Sequence, residues 1–199
     1  MAPTTLTDLY VEELKDLYSA ENQILKALPK MIKAATHAEL KQAFQTHLSQ
    51  TETHVERLEK ICEELGTSPK GKRCHGMEGV IEEGAELIQE KPEPSILDAG
   101  LISAAQHVEH YEMAGYGSVR AWAEKLGHTN QAKLLQLTLD EERKTDALLT
   151  ALATEKVNVD ADAEVTVGGR TDGLADSPAR KTPGTRGKTT KPLPTTAGR

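Results

Sequence analysis

Six acidic side chains stand where a helical chain would place its buried stripes. Glu21 lies four residues after Leu17 and three before Ile24. At about 100° per residue it belongs to the apolar face of one helix. Glu112 continues the series Leu101, Ala105 and Val108 and precedes Gly115 and Val119. Glu142 follows Thr138 by four and precedes Leu149 by seven. Glu109 and Asp146 flank the same faces, and Glu52, four after Leu48, takes a shoulder position on another helix. An ionised carboxylate removed from water costs several kcal/mol unless a countercharge meets it. Four such groups around two divalent cations balance charge, and an all-oxygen donor set suits iron or manganese. The competing reading is that the helices have wide polar faces and the acids are solvated.

Depth along the elements favours the first of these readings. Thr5 or Thr7 can cap a first helix, whose seam is Leu14, Leu17, Ile24, Leu28 and Met31, with a kink expected at Pro29. A second helix is expected over 38–65 on Phe44, Leu48, Thr51, Val55, Leu58 and Cys62, ended by Gly66. A short helix over about 76–90 follows the loop TSPKGKRCH. After the KPEP breaker, long helices are expected over about 95–126 and 129–154, separated by Gly127. The first loop is near residue 37, with Glu21 sixteen positions before it and Glu52 fifteen after it. The second is near residue 128; Glu112 lies sixteen before it, and Glu142 and Asp146 bracket the matching level beyond. Each hairpin therefore carries carboxylates at its midpoint, and centre-to-centre packing makes them converge.

Composition supports this layout. Aromatics are only 3% of the 199 residues, too few for the aromatic pairs of an all-β sandwich or barrel. Long–long–short–long–long predicts an all-α, ferritin-like four-helix bundle with one crossover carrying a short extra helix. Two cysteines cannot build a disulfide framework, and no run nears the roughly 20 apolar residues of a membrane span. No secretory signal is visible at the N-terminus, so a cytoplasmic setting without a membrane partner is expected.

The charge is uneven. Residues 168–199 carry seven basic and two acidic side chains, or +5, leaving −12 on the rest of a chain whose net charge is −7. This segment is rich in Gly, Pro and Thr and has no apolar period. The expected division is a bundle over 1–155 and a disordered basic tail over 156–199, with 168–199 the one stretch suited to nucleic acid.

DLYSAENQILKALPKM, AAQHVEHYEMAGYGSV and TLDEERKTDALL, together with the linker KRCHGMEGVIEEG, resemble the YciE/YciF-type ferritin-like proteins of bacteria. The likeness covers about residues 4–155. It implies a ferritin-like bundle, often a homodimer, linked to stress responses, with a dinuclear metal site and no firmly assigned reaction. It places Glu21, Glu109, Glu112, Glu142 and Asp146 in the motifs that supply the central acids. Two departures stand out. The Glu-x-x-His pattern of the wider fold is absent, since Val55 follows Glu52 by three and Thr145 follows Glu142 by three; and HLSQT stands where the family often has HLEET.

Other residues carry less. His47 reads as a hydrogen-bonded core residue; His54, on a shoulder at the level of Glu21, as an ordinary contact with a ligand role as the lesser alternative; Tyr111 as packing, with a bond to a ligand or radical chemistry as its lesser alternative; and Cys62 as packing. Cys74 and His75 lack a partner pair for zinc. Three functions follow: a ferritin-like stress-response protein whose dinuclear iron or manganese site handles metal, oxygen or peroxide; a non-catalytic helical dimer or interaction module with a degenerate site; and a nucleic-acid-associated protein acting through its basic tail.

Overall fold

Thr5 starts helix α1 (Leu6–Ala34): its hydroxyl accepts from the Asp8 N–H, and the Asp8 carboxylate accepts from the Thr5 N–H. This reciprocal capping satisfies donors that a helix start leaves open. The computed structural model describes residues 2–167. Helix α1 continues through Pro29 as one element. Then come α2 (Ala38–Glu64), α3 (His75–Glu90), α4 (Pro94–Lys125) and α5 (Thr129–Leu152). A π-helical turn, Ala153–Val157, leads into α6 (Asn158–Val167). Among the described residues there is no strand.

α1 and α2 form one antiparallel hairpin, and α4 and α5 the other. α1 packs on α4 and α2 on α5, which closes a four-helix ring. The crossover helix α3 lies against α4 and α1, giving the expected all-α bundle with one crossover. Gly66 and Gly127 end α2 and α4 with φ of +66° and +83°, a region that glycine enters without a Cβ penalty.

Two apolar clusters fill the bundle. One holds Ile24, Leu28, Phe44, Leu101, Ile102 and Leu149; the other holds Leu14, Leu17, Leu58, Tyr116, Val119 and Leu135. On every long helix the break between clusters falls at the midpoint: after Leu17 on α1, before Leu58 on α2, before Tyr116 on α4 and after Leu139 on α5. The central layer left between them is polar.

Buried polar contacts fix the register at both ends. Asp98 of α4 is 2% exposed and accepts from the backbone N–H of Thr36 (2.8 Å) and of His37 (2.7 Å) and from the Thr36 hydroxyl. It ties the α1–α2 turn to the start of α4. At the opposite end, Tyr10 donates to Gln131 Oε1 (3.0 Å), linking the start of α1 to the start of α5.

The sequence boundary at residue 155 falls short of the last helix. Val157 and Ala161, four apart, are buried, and Lys156 pairs with Glu39 of α2. Residues 156–167 are therefore helical, stabilised by packing that a short and weakly periodic run does not announce. The rest of the expected tail, 168–199, lies outside the described residues.

Asp98→Ala strands two backbone N–H donors and one hydroxyl. Hydrogen bonds to charged groups contribute about 1.5–3 kcal/mol each, and about 1 kcal/mol moves Tm by ~2–4 °C at this chain length. Thr36 is exposed and water replaces part of each bond, so we expect a net loss of about 2–4 kcal/mol and a Tm roughly 5–15 °C lower by circular dichroism.

Candidate metal centre

Each long helix delivers side chains to the central polar layer. α1 brings Glu21, α2 brings His47 and His54, α4 brings Glu109 and Glu112, and α5 brings Glu142. All six are 0–3% exposed. They form two donor groups, each with ligand atoms within 4.8 Å of one another: His47, Glu109, Glu112 and Glu142; and Glu21, His54 and Glu142. Glu142 belongs to both.

The distances show how tightly the layer is drawn. His54 Nδ1 lies 3.0 Å from Glu142 Oε1 and 3.4 Å from Glu21 Oε1. His47 Nε2 lies 3.4 Å from Glu109 Oε1, and its Nδ1 lies 3.8 Å from Glu142 Oε2. None of these has hydrogen-bond alignment. His47 Nδ1 and Nε2, His54 Nδ1 and both oxygens of Glu112 and of Glu142 are buried with no hydrogen-bond partner. So are Glu21 Oε2 and Glu109 Oε2. Buried polar atoms are nearly always satisfied. Nine such atoms without a hydrogen bond converge from four helices, the set of donors that a metal would need.

A second layer orients this one. His54 Nε2 stands 2.9 Å from Glu141 Oε2, and Arg57 clasps both Glu141 oxygens. Donation from Nε2 to Glu141 leaves Nδ1 aimed at the centre, the arrangement that fixes a metal-ligating histidine. Tyr116 donates to Glu21 Oε1.

The electrostatics are those of crowded anions. Burial, then the neighbouring carboxylates, push Glu109 and Glu112 well above the usual carboxylate range. Burial also raises Glu21, against the pull of His54. Burial opposes charge on Glu142, yet contact with His54 holds its carboxyl below the ordinary value. Burial likewise disfavours imidazolium at His54, but Glu142 and Glu21 outweigh it and push the pKa up to about 10. Burial lowers His47. Without a metal, protons shared among these groups relieve the repulsion.

Four of the sequence-predicted residues meet here: Glu21, Glu109, Glu112 and Glu142. Glu52 does not; it is exposed, because α2 is turned so that Thr51 and His54 face inward. Asp146 sits at the rim, 24% exposed, accepting from Gln106 Nε2 at 2.9 Å. The inward-facing donors are also not oxygen alone. His47 and His54 join the four carboxylates in the layer, the same inventory as two Glu plus two Glu-x-x-His motifs, but with both histidines on one helix. The signal was their spacing: seven residues is two turns, so they share a face at the level of the acids. Tyr111 does more than pack, since its hydroxyl stands 3.0 Å from Cys74 Sγ.

Residues 5–162 match the family model described as a domain of unknown function, DUF892. Protein YciF of Escherichia coli (strain K12) is 44% identical over 159 residues, covering 79% of this chain and 96% of that protein. The crystal structure of the E. coli stress protein YciF superposes with a TM-score of 0.76 at 44% identity, over 78% of this chain and 99% of that one. The YcfI structure from Rhodopseudomonas palustris gives 0.72 at 42% identity, over 74% and 94%.

In chelator-treated protein, Glu112→Gln removes a carboxyl whose two oxygens have no partner. We expect stability at neutral pH to rise by ~1–3 kcal/mol, read as a higher Tm. The sign with pH follows from a folded pKa raised above the unfolded one. The Glu112 term is harmless in acid and destabilises increasingly as pH climbs from the unfolded toward the folded pKa. The gain from Glu112→Gln should therefore grow as pH rises above the ordinary carboxylate range.

Proposed function

The chain belongs to the DUF892 family, and from that premise we propose that its central layer is a dinuclear iron or manganese site that handles metal, oxygen or peroxide during stress. The observation that carries the proposal is Glu142, shared by two buried donor groups, with neither oxygen in a hydrogen bond. Four carboxylates carry four negative charges, which two divalent cations neutralise. Carboxylate oxygen and imidazole nitrogen together suit iron and manganese. When bound, such a pair supplies a centre that changes oxidation state.

The chain's own residues set the conditions. Glu142 bridges the two groups; Glu109 and Glu112 close one side with His47, and Glu21 closes the other with His54. Arg57 and Glu141 hold the His54 ring in place, and Tyr116 fixes Glu21 Oε1. The two apolar clusters above and below keep the layer dry, which strengthens every charge interaction inside it. The E. coli relative's description as a stress protein supports the physiological setting. The free, buried Cys62 and Cys74 support a cytoplasmic one. A homodimer belongs to the same proposal, supported by Leu137 and Leu148 exposed three turns apart on α5. The nucleic-acid role expected of 168–199 is not needed for it.

The test is elemental analysis after anaerobic reconstitution. We expect ~2 equivalents of iron or manganese per chain. Glu142→Ala and His54→Ala should lose most of the metal, whereas Glu52→Ala keeps it. Metal at ~100 times its Kd should add about 2.7 kcal/mol of stability, absent in Glu142→Ala. A wild-type protein that takes up neither metal overturns the proposal and leaves the interaction module.

A further inference from the structure

Beneath α3, an apolar cavity of about 60 Å³ reaches the edge of the central layer. Ile24 of α1, Phe44 of α2, Ile81 of α3 and Ala105 of α4 are among its walls. Its charged and polar lining is exposed Lys30 together with buried His47 and Glu109. Both His47 nitrogens and Glu109 Oε2 lack hydrogen-bond partners. Gly84 lets the crossover helix lie close over this space, since a Cβ there would stand 3.2 Å from the Ala104 Cβ.

Size and polarity select the occupant. An apolar void of ~150 Å³ stays dry and takes benzene or xenon. The cavity under α3 is less than half that size, which excludes a ring and admits a diatomic molecule. Hydrogen peroxide would give up its hydrogen bonds with water to cross apolar walls, a cost that dioxygen does not meet.

We propose that this cavity is the access route and holding site for dioxygen at the His47–Glu109 side of the centre. The inference rests on the dinuclear reading above and chooses among its substrates. In the net reaction, one dioxygen takes one electron from each of two ferrous ions and two protons from solvent, and leaves as hydrogen peroxide.

Xenon is the first probe, because its binding needs no metal. Under xenon pressure, the methyl resonances of Ile24, Val80 and Val108 should shift in the full-length protein as purified. Ala105→Leu and Ala27→Leu, which fill the cavity from α4 and α1, should abolish those shifts. Loaded anaerobically with iron, both variants should hold wild-type amounts. They should then lose ferrous iron to dioxygen at least tenfold more slowly, and to hydrogen peroxide at the wild-type rate. No xenon shift in the wild type overturns the inference. So does an unchanged dioxygen rate in variants that exclude xenon, or an equal slowing with peroxide. Failure of the wild type to hold iron is seen before any rate is measured and sinks the dinuclear reading itself.

Discussion

Four carboxylates and two imidazoles buried in one layer are the constraint on which the rest of the bundle depends. In water each acid would ionise at little cost. Here Glu21, Glu109, Glu112 and Glu142 are at most 1% exposed, and removing one ionised group from water costs several kcal/mol. The fold surrounds this cost with apolar packing. The core is split into two clusters, and the layer sits where both give out. Small neighbours on the same stripes, Thr51 and Thr145, leave room for it. The Thr51 hydroxyl turns back to its own helix, accepted by the His47 carbonyl at 2.9 Å, so it does not compete for the centre. A sequence selected for stability alone would place Leu at these positions. Acids buried at this cost are what the proposed metal-binding role requires.

Such a layer works only if four helices agree in depth and rotation. One residue of slippage moves a side chain ~1.5 Å along and about 100° around its helix, enough to remove it from a donor group. Asp98 and the Tyr10–Gln131 pair sit at opposite ends of the bundle and act as end stops. Asp98 holds the α1–α2 turn beside the start of α4, so Glu21, counted back from the turn, and Glu112, counted forward from Asp98, arrive at one level. Tyr10 does the same for α1 and α5. At the centre, Gly115 lets α4 approach α1 closely, because a Cβ there would stand 2.7 Å from Leu17 Cδ2. The separation of Glu112 from Glu21 depends on that approach.

Much of this was legible in the sequence because depth is a matter of counting. Distance from a loop placed Glu21, Glu112 and Glu142 together without any coordinates. Rotation was harder. On α2 the apolar residues Leu48 and Val55 drew the expected seam toward themselves, and Glu52 came with it. The real stripe is centred on Leu40, His47, Thr51, His54 and Leu58, with Leu48 and Val55 only half-buried. When a helix buries polar ligands, hydrophobicity no longer marks the middle of its inner face, so the functional helix is the one whose rotation is misjudged. The α6 segment failed for a different reason: it is held by Val157 and Ala161 against distant partners, and a short run carries too few periods to show it.

The two halves of the centre are not braced alike. His54 is fixed through Glu141 to Arg57, a pair whose side chains are 26% and 17% exposed, so this side has a charged, partly hydrated backing. His47 has no such tether. Its ring nitrogens face only other members of the layer, and the cavity under α3 lies beside it. A group held by a hydrogen-bonded anion keeps its orientation while charge around it changes; a group held by packing can turn. The Glu21–His54 half is therefore the rigid half, and the His47–Glu109–Glu112 half is the one able to rearrange. Space, apolarity and freedom of the ring coincide there, whereas the opposite side is closed by an ion pair. That asymmetry follows from placing both histidines on α2, seven residues apart, because one then falls beside Arg57 on the α5 side and the other beneath the crossover helix.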